Sequence, residues 1–140
     1  MCKLTPLHIF LTILVLLTGA SICTSQNALK EAYLETWLQE SKKASNQGKH
    51  KRSLLYSDSA LSFLDQLDHQ DQYQLFFYRG KSLRYLDQNI KAIQAFTQGL
   101  DKASTHDEEA RAYFELGELY FEEKSLDIAL QKYEEALKLY

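Results

Sequence analysis

Residues 113–120 read Tyr-Phe-Glu-Leu-Gly-Glu-Leu-Tyr, and residues 129–136 read Ala-Leu-Gln-Lys-Tyr-Glu-Glu-Ala. In this pair an aromatic, Tyr113, is followed four residues on by Gly117 and twelve after that by Ala129. The same spacing links Phe76, Gly80 and Ala92, and again Trp37, Ser41 and Ser53. A fixed internal period is the mark of a repeat architecture, in which each unit buries its apolar face against the next. Glycine inside a helix costs about 1 kcal/mol relative to alanine. Gly80 and Gly117 at matching places therefore predict a close approach of two helices. Phe76 and Phe96 fill the space beside one notch, and Tyr113, Tyr120 and Tyr133 fill it beside the other.

Working outward, residues 26–140 read as six helices in three hairpins. The expected spans are Ala28–Ser45 with Lys49–Leu67, Asp71–Leu86 with Asn89–Ala103, and Asp107–Glu123 with Leu126–Tyr140. The only proline is Pro6, so nothing later breaks a helix by force. Asn46-Gln47-Gly48 and Leu86-Asp87-Gln88-Asn89 punctuate two hairpins. Thr105 to Glu108 fits a capping box, and Ser125 stands where a side chain could cap the last helix. The fold class is all-α, because long alternating β-branched runs do not occur.

These residues resemble the tetratricopeptide repeat family. Tyr113, Leu116-Gly117, Tyr120, Ala129, Tyr133 and Ala136 carry the likeness in the third unit. Phe76, Gly80, Leu83, Ala92, Phe96 and Gly99 carry it in the second. The first is degenerate, with Trp37 and Ala60 kept but Ser41, Ser53 and Ser57 in small-residue places. Units at about 30–67, 71–103 and 107–140 are 39 and 37 residues apart by their Ser41, Gly80 and Gly117 positions, against the family's 34. The resemblance implies an α-solenoid of antiparallel hairpins coiled as a right-handed superhelix. It also implies a concave groove lined by the first helix of each pair, which commonly holds a peptide. Carried over, the groove residues are Leu38, Lys42 and Ser45, then Gln74, Phe77, Lys81, Arg84 and Tyr85, then Arg111, Phe114, Glu118 and Phe121. Phe77 and Phe114 are expected either on the groove wall, ringed by Lys81, Arg84 and Arg111 as binding hot spots are, or packed between units. The chaperone-type carboxylate clamp is not matched, because Leu38, Phe77 and Phe114 stand where it needs polar or basic residues.

Ahead of the repeats, residues 1–25 read as a secretory signal. Lys3 opens it, Leu7 to Leu17 form an apolar core, and Thr18 to Ser21 a small-residue tail. Cleavage after Ala20 or after Ser25 fits. Two rival readings stand beside it: an uncleaved anchor over Leu4 to Ile22, and lipidation of Cys23 as in bacterial lipoproteins. Export to the periplasm or the outside, with possible membrane anchoring, is the expectation. A membrane is involved only under the rival readings. Both cysteines, Cys2 and Cys23, lie in this segment.

The chemistry of sites is thin. The 45% hydrophobic and 25% charged content is ordinary for a globular protein. A net charge of −3 with no basic stripe disfavours nucleic acid. The glycines are isolated, so no phosphate cradle forms. The four histidines lie far apart, which leaves a zinc site without support. Adjacent acids such as Glu134-Glu135 diverge by about 100° on a helix. No catalytic residue, cofactor or metal is expected, and the reading is a non-enzymatic scaffold for a protein or peptide. The alternative is the extracytoplasmic sensory portion of a larger bacterial histidine kinase or transcriptional regulator. The apolar face of the last helix, Ala129-Leu130, Tyr133, Ala136-Leu137 and Leu139-Tyr140, has no further helix to cover it, so the expectation is a fragment of a longer protein, with a partner or self-association through this face as the other covers.

Overall fold

Among the described residues two helices start at side-chain caps, Asp68 and Thr105, and three start directly after tight turns. The computed structural model describes residues 28–140. The expected signal segment, residues 1–25, lies outside them. The chain divides into two compact units between Glu35 and Thr36. Of the first, residues 28–35 are helical.

The second unit holds six α-helices among its described residues, and no strand. We label them α1 (36–46), α2 (His50–Leu61), α3 (His69–Arg84), α4 (Asn89–Leu100), α5 (His106–Glu122) and α6 (Leu126–Lys138). Consecutive helices pack on one another, and α3 also meets α5. No helix among the described residues is long and apolar enough to cross a membrane.

The hairpins are antiparallel and close through glycine. A methyl group on Gly80 would stand 2.8 Å from the Phe96 ring, and one on Gly99 would stand 3.4 Å from Phe76 Cβ. As numbers fall along α3 they rise along α4. In the next hairpin a methyl on Gly117 would stand 2.6 Å from the Tyr133 ring. The two expected glycine notches are therefore in place, with Phe96 filling one and Tyr133 the other, while Phe76 faces Gly99 instead of Gly80. Between hairpins, Ala112, Leu116 and Leu119 of α5 join Phe77, Leu83, Ala92 and Phe96 in one buried cluster. The Tyr73 hydroxyl donates to the Glu108 carbonyl at 3.0 Å, tying α3 to α5. Burial pushes that phenol well above its ordinary range.

In the first hairpin serines replace glycine and alanine. Ser41 Oγ lies 3.2 Å from Ser53 Oγ, and Ser82 Oγ of α3 donates to Ser53 Oγ at 2.8 Å. The hydroxyls are small enough for close packing, and they satisfy one another in the dry seam.

The three hairpin turns share one geometry. Gly48, Asp87 and Lys124 have φ of 72°, 56° and 60°. The following amide of each, Lys49, Gln88 and Ser125, donates to the carbonyl five residues back, on Ala44, Leu83 and Tyr120. This left-handed cap with a six-to-one hydrogen bond is the Schellman motif.

The structure corrects several expected boundaries. The second helix stops at Leu61 and gives way to a 3₁₀ turn over Leu64–Gln66. Gln72 Nε2 donates to the carbonyls of Leu64 and Leu67, which ties that turn to the helix that follows. The third helix begins at His69 because the Asp68 carboxylate accepts the Asp71 amide at 2.8 Å. The Thr105 box forms as expected, with Thr105 Oγ1 accepting from the Glu108 amide and Glu108 reaching back to the Ser104 amide. Ser125, expected to cap α6 through its hydroxyl, makes no side-chain cap bond. Its backbone amide is spent on closing the turn instead.

Candidate functional site

α3, α5 and α6 together shape a recess of about 200 Å³. Its lining unites four of the residues read from the sequence, Phe77, Lys81, Arg111 and Phe114. Glu115, Ala136 and Tyr140 complete it. Lys81 lies four residues after Phe77 on α3, and Phe114 lies three after Arg111 on α5. Helical periodicity therefore sets each pair on one face, one turn apart.

The two phenylalanines hold equal places in their helices but differ in exposure. Phe77 is only 3% exposed. It meets Phe96 and Tyr78 edge-on at 5.7 and 5.5 Å, and the Arg111 guanidinium lies 4.9 Å over its ring. It is a core residue that floors the recess, not a groove-wall anchor. Leu38 and Ser45, also assigned to the groove, are buried too. Phe114 is 51% exposed and tilts against Tyr133 at 5.8 Å. It is the exposed phenylalanine of the recess.

Beside the recess sits an ion network. Arg84 donates to Glu115 at 2.9 Å, to Glu118 at 3.1 Å and to Glu122 at 2.7 Å. Burial works against its charge, but the hydrogen bonds and carboxylates of Glu122 and Glu115 outweigh that and hold it above its ordinary range. Arg84 and Glu118 are thus committed to joining α3 to α5. The Tyr133 hydroxyl donates to Glu118 at 2.6 Å. Burial and that carboxylate push the phenol up to about 12.

The remaining groove candidates stand apart from the recess. Lys42 is exposed on α1, 5.9 Å over the Tyr78 ring. Gln74 is half-buried on α3, and Phe121 is exposed at the end of α5. Tyr85 stacks on His50 at 4.3 Å. Burial, with a smaller push from Lys81, lowers the His50 pKa. Sequence reasoning missed Glu115, Ala136 and Tyr140 as lining groups. The last two lie four apart, Ala136 near the end of α6 and Tyr140 just past it, and that spacing was the available signal.

The recess offers an aromatic edge, two cations and a tyrosine. Among the described residues Lys81 is half-buried with no ion pair, and Arg111, besides lying over the Phe77 ring, has a loose 3.8 Å contact to Asp107. Glu115 is paired with Arg84, which it shares with Glu118 and Glu122. Such a surface can bury an apolar side chain and pair with a carboxylate next to it. Among the described residues, no group of three or more His, Cys, Asp or Glu stands where it could hold a metal ion. No protein-family model matches the chain, and no curated protein does.

Proposed function

We propose that the chain is an exported, non-enzymatic helical-repeat scaffold of tetratricopeptide type that binds a protein or peptide segment. The segment carries an apolar anchor for Phe114 and Tyr140 and an acidic residue for Lys81 and Arg111. One observation carries the reading: Phe114 keeps half its surface open beside Lys81, which has no ion pair among the described residues. Covering that half-ring, on the order of 100 Å², is worth about 2.5 kcal/mol. The repeated hairpin turns and glycine notches support the repeat assignment, since a stacked array presents its first helices as a binding wall.

A pull-down with the wild-type chain against Phe114→Ala combined with Lys81→Glu tests the reading. Both side chains sit at the rim, so helicity by circular dichroism is expected to stay intact. Loss of partner recovery supports the site, and unchanged recovery with intact helicity sinks it. Sequencing the N-terminus of the secreted protein tests export separately: a start at Ser21 or Gln26 is expected.

A further inference from the structure

Equal positions on α4 and α6 meet different fates. On α4, Ile93 and Leu100 pack against the cluster that contains Ala112, Leu116 and Leu119 of α5. The shift of 37 residues that takes Gly80 to Gly117 places Leu130 and Leu137 at the same register on α6. These two are 59% and 75% exposed, and Leu126 is as open as Leu130. At about 100° per residue, the three fall within about 40° of one another around the helix. They form one uncovered apolar stripe of the kind α5 covers on α4.

The charge beside the stripe differs as well. At the inner joint, Arg84 and Asn89 hold Glu122 and Glu123 of α5. The shifted positions are Phe121 and Leu126, which hold nothing acidic. Asp127 and Glu134 now stand roughly 60–80° to one side of the stripe. Both are exposed, and no cation pairs with either among the described residues. Lys138 is taken by Glu135 at 3.0 Å. An acidic helix such as α5 is therefore the wrong cover. A second copy stacked head-to-tail is wrong too, because the α1 positions that match Ala112, Leu116 and Leu119 are Thr36, Glu40 and Lys43. Glu40 is paired with Lys43 and Arg52.

We propose that the Leu126–Leu130–Leu137 stripe seats an amphipathic helix of another protein. That helix presents a small-and-leucine stripe at the spacing of Ala112, Leu116 and Leu119, with lysine or arginine beside it. The stripe gives the docking area, and Asp127 and Glu134 give the sign of the partner.

Two synthetic 17-residue helical peptides serve as probes. They share the Ala-x3-Leu-x2-Leu stripe and differ only in having lysine or glutamate at the flanking positions. Fluorescence-anisotropy titration against the 140-residue chain is expected to favour the lysine peptide by about tenfold or more. Leu130→Glu with Leu137→Glu removes that binding without loss of helicity, since both side chains are already mostly in water. Asp127→Lys with Glu134→Lys reverses the preference, while Phe114→Ala leaves it unchanged. The proposal is overturned by equal binding of the two peptides, by binding of neither, by loss of binding in Phe114→Ala, or by α6-dependent dimerisation in sedimentation, which would make a second copy the occupant.

Discussion

Four glycine-to-alanine substitutions separate packing from propensity and backbone strain. At Gly80 the new methyl would lie 2.8–2.9 Å from three atoms of the Phe96 ring, and Phe96 is wholly buried. The ring has nowhere to go. Overpacking of a dry core costs about 1–3 kcal/mol, and the helical preference for alanine returns about 1 kcal/mol. Gly80→Ala is expected to lose up to about 2 kcal/mol. At Gly117 the contact is shorter, 2.6 Å to Tyr133. However, Tyr133 sits at the rim and can swing outward by giving up its bond to Glu118. That hydrogen bond is worth about 1 kcal/mol, so Gly117→Ala is expected to be milder than Gly80→Ala. At Gly99 the nearest atom is 3.4 Å away, an ordinary contact, and the substitution is expected to stabilise by about 0.5–1 kcal/mol. At Gly48 nothing crowds the methyl, but φ of 72° charges it about 1–2 kcal/mol. Urea unfolding followed by far-ultraviolet circular dichroism reads the four as shifts in midpoint at constant slope. Phe96→Leu added to Gly80→Ala should recover part of the loss. A higher midpoint for Gly80→Ala than for wild type would refute the close-packed hairpin.

Three further outcomes are expected. Lys124 holds φ of 60° with a side chain that gains nothing there, so Lys124→Gly should stabilise by about 1 kcal/mol in the same assay; Asp87→Gly should do less, because aspartate tolerates that region. In the serine seam, Ser53→Ala takes one partner from Ser41 and Ser82, but each hydroxyl keeps a backbone acceptor, the carbonyl of residue 53 and that of Tyr78, so the change should cost about 1 kcal/mol or less. The fold favours neutral His50, so its contribution is complete above the ordinary pKa of 6.5 and is lost as pH falls below it, where the unfolded chain takes the proton first. Denaturation midpoints measured between pH 7.5 and 5 should show that loss in wild type and less of it in His50→Gln.

The hairpins were legible because their signals are costly. Glycine in a helix interior and left-handed turn residues are tolerated only where the backbone needs them, so Gly80, Gly117 and Gly48 announce close packing and a turn. Lys124 escaped notice because lysine carries no such preference, and its place was set by the Schellman closure. The break after α2 was not legible because the turn that follows it is held by Gln72, a residue of the next helix. The site was half legible. Periodicity puts Phe77 and Phe114 at equivalent positions but says nothing of what lies across from each. Phe77 is roofed by Arg111 and walled by Phe96, while Phe114 meets only Tyr133 at an open edge. Arg84 was read as a binding cation for the same reason: its three carboxylate partners come from the next hairpin.

The central claim, recognition of an acidic segment with an apolar anchor at Phe114 and Lys81, is tested most directly by selecting a displayed library of 12-residue peptides on the wild-type chain. Enrichment of sequences that join an aromatic or leucine to aspartate or glutamate, with binding reduced about tenfold or more by Lys81→Glu and by Phe114→Ala, is the predicted result. Peptides that bind both variants as well as wild type, or a selection that enriches nothing, would contradict it.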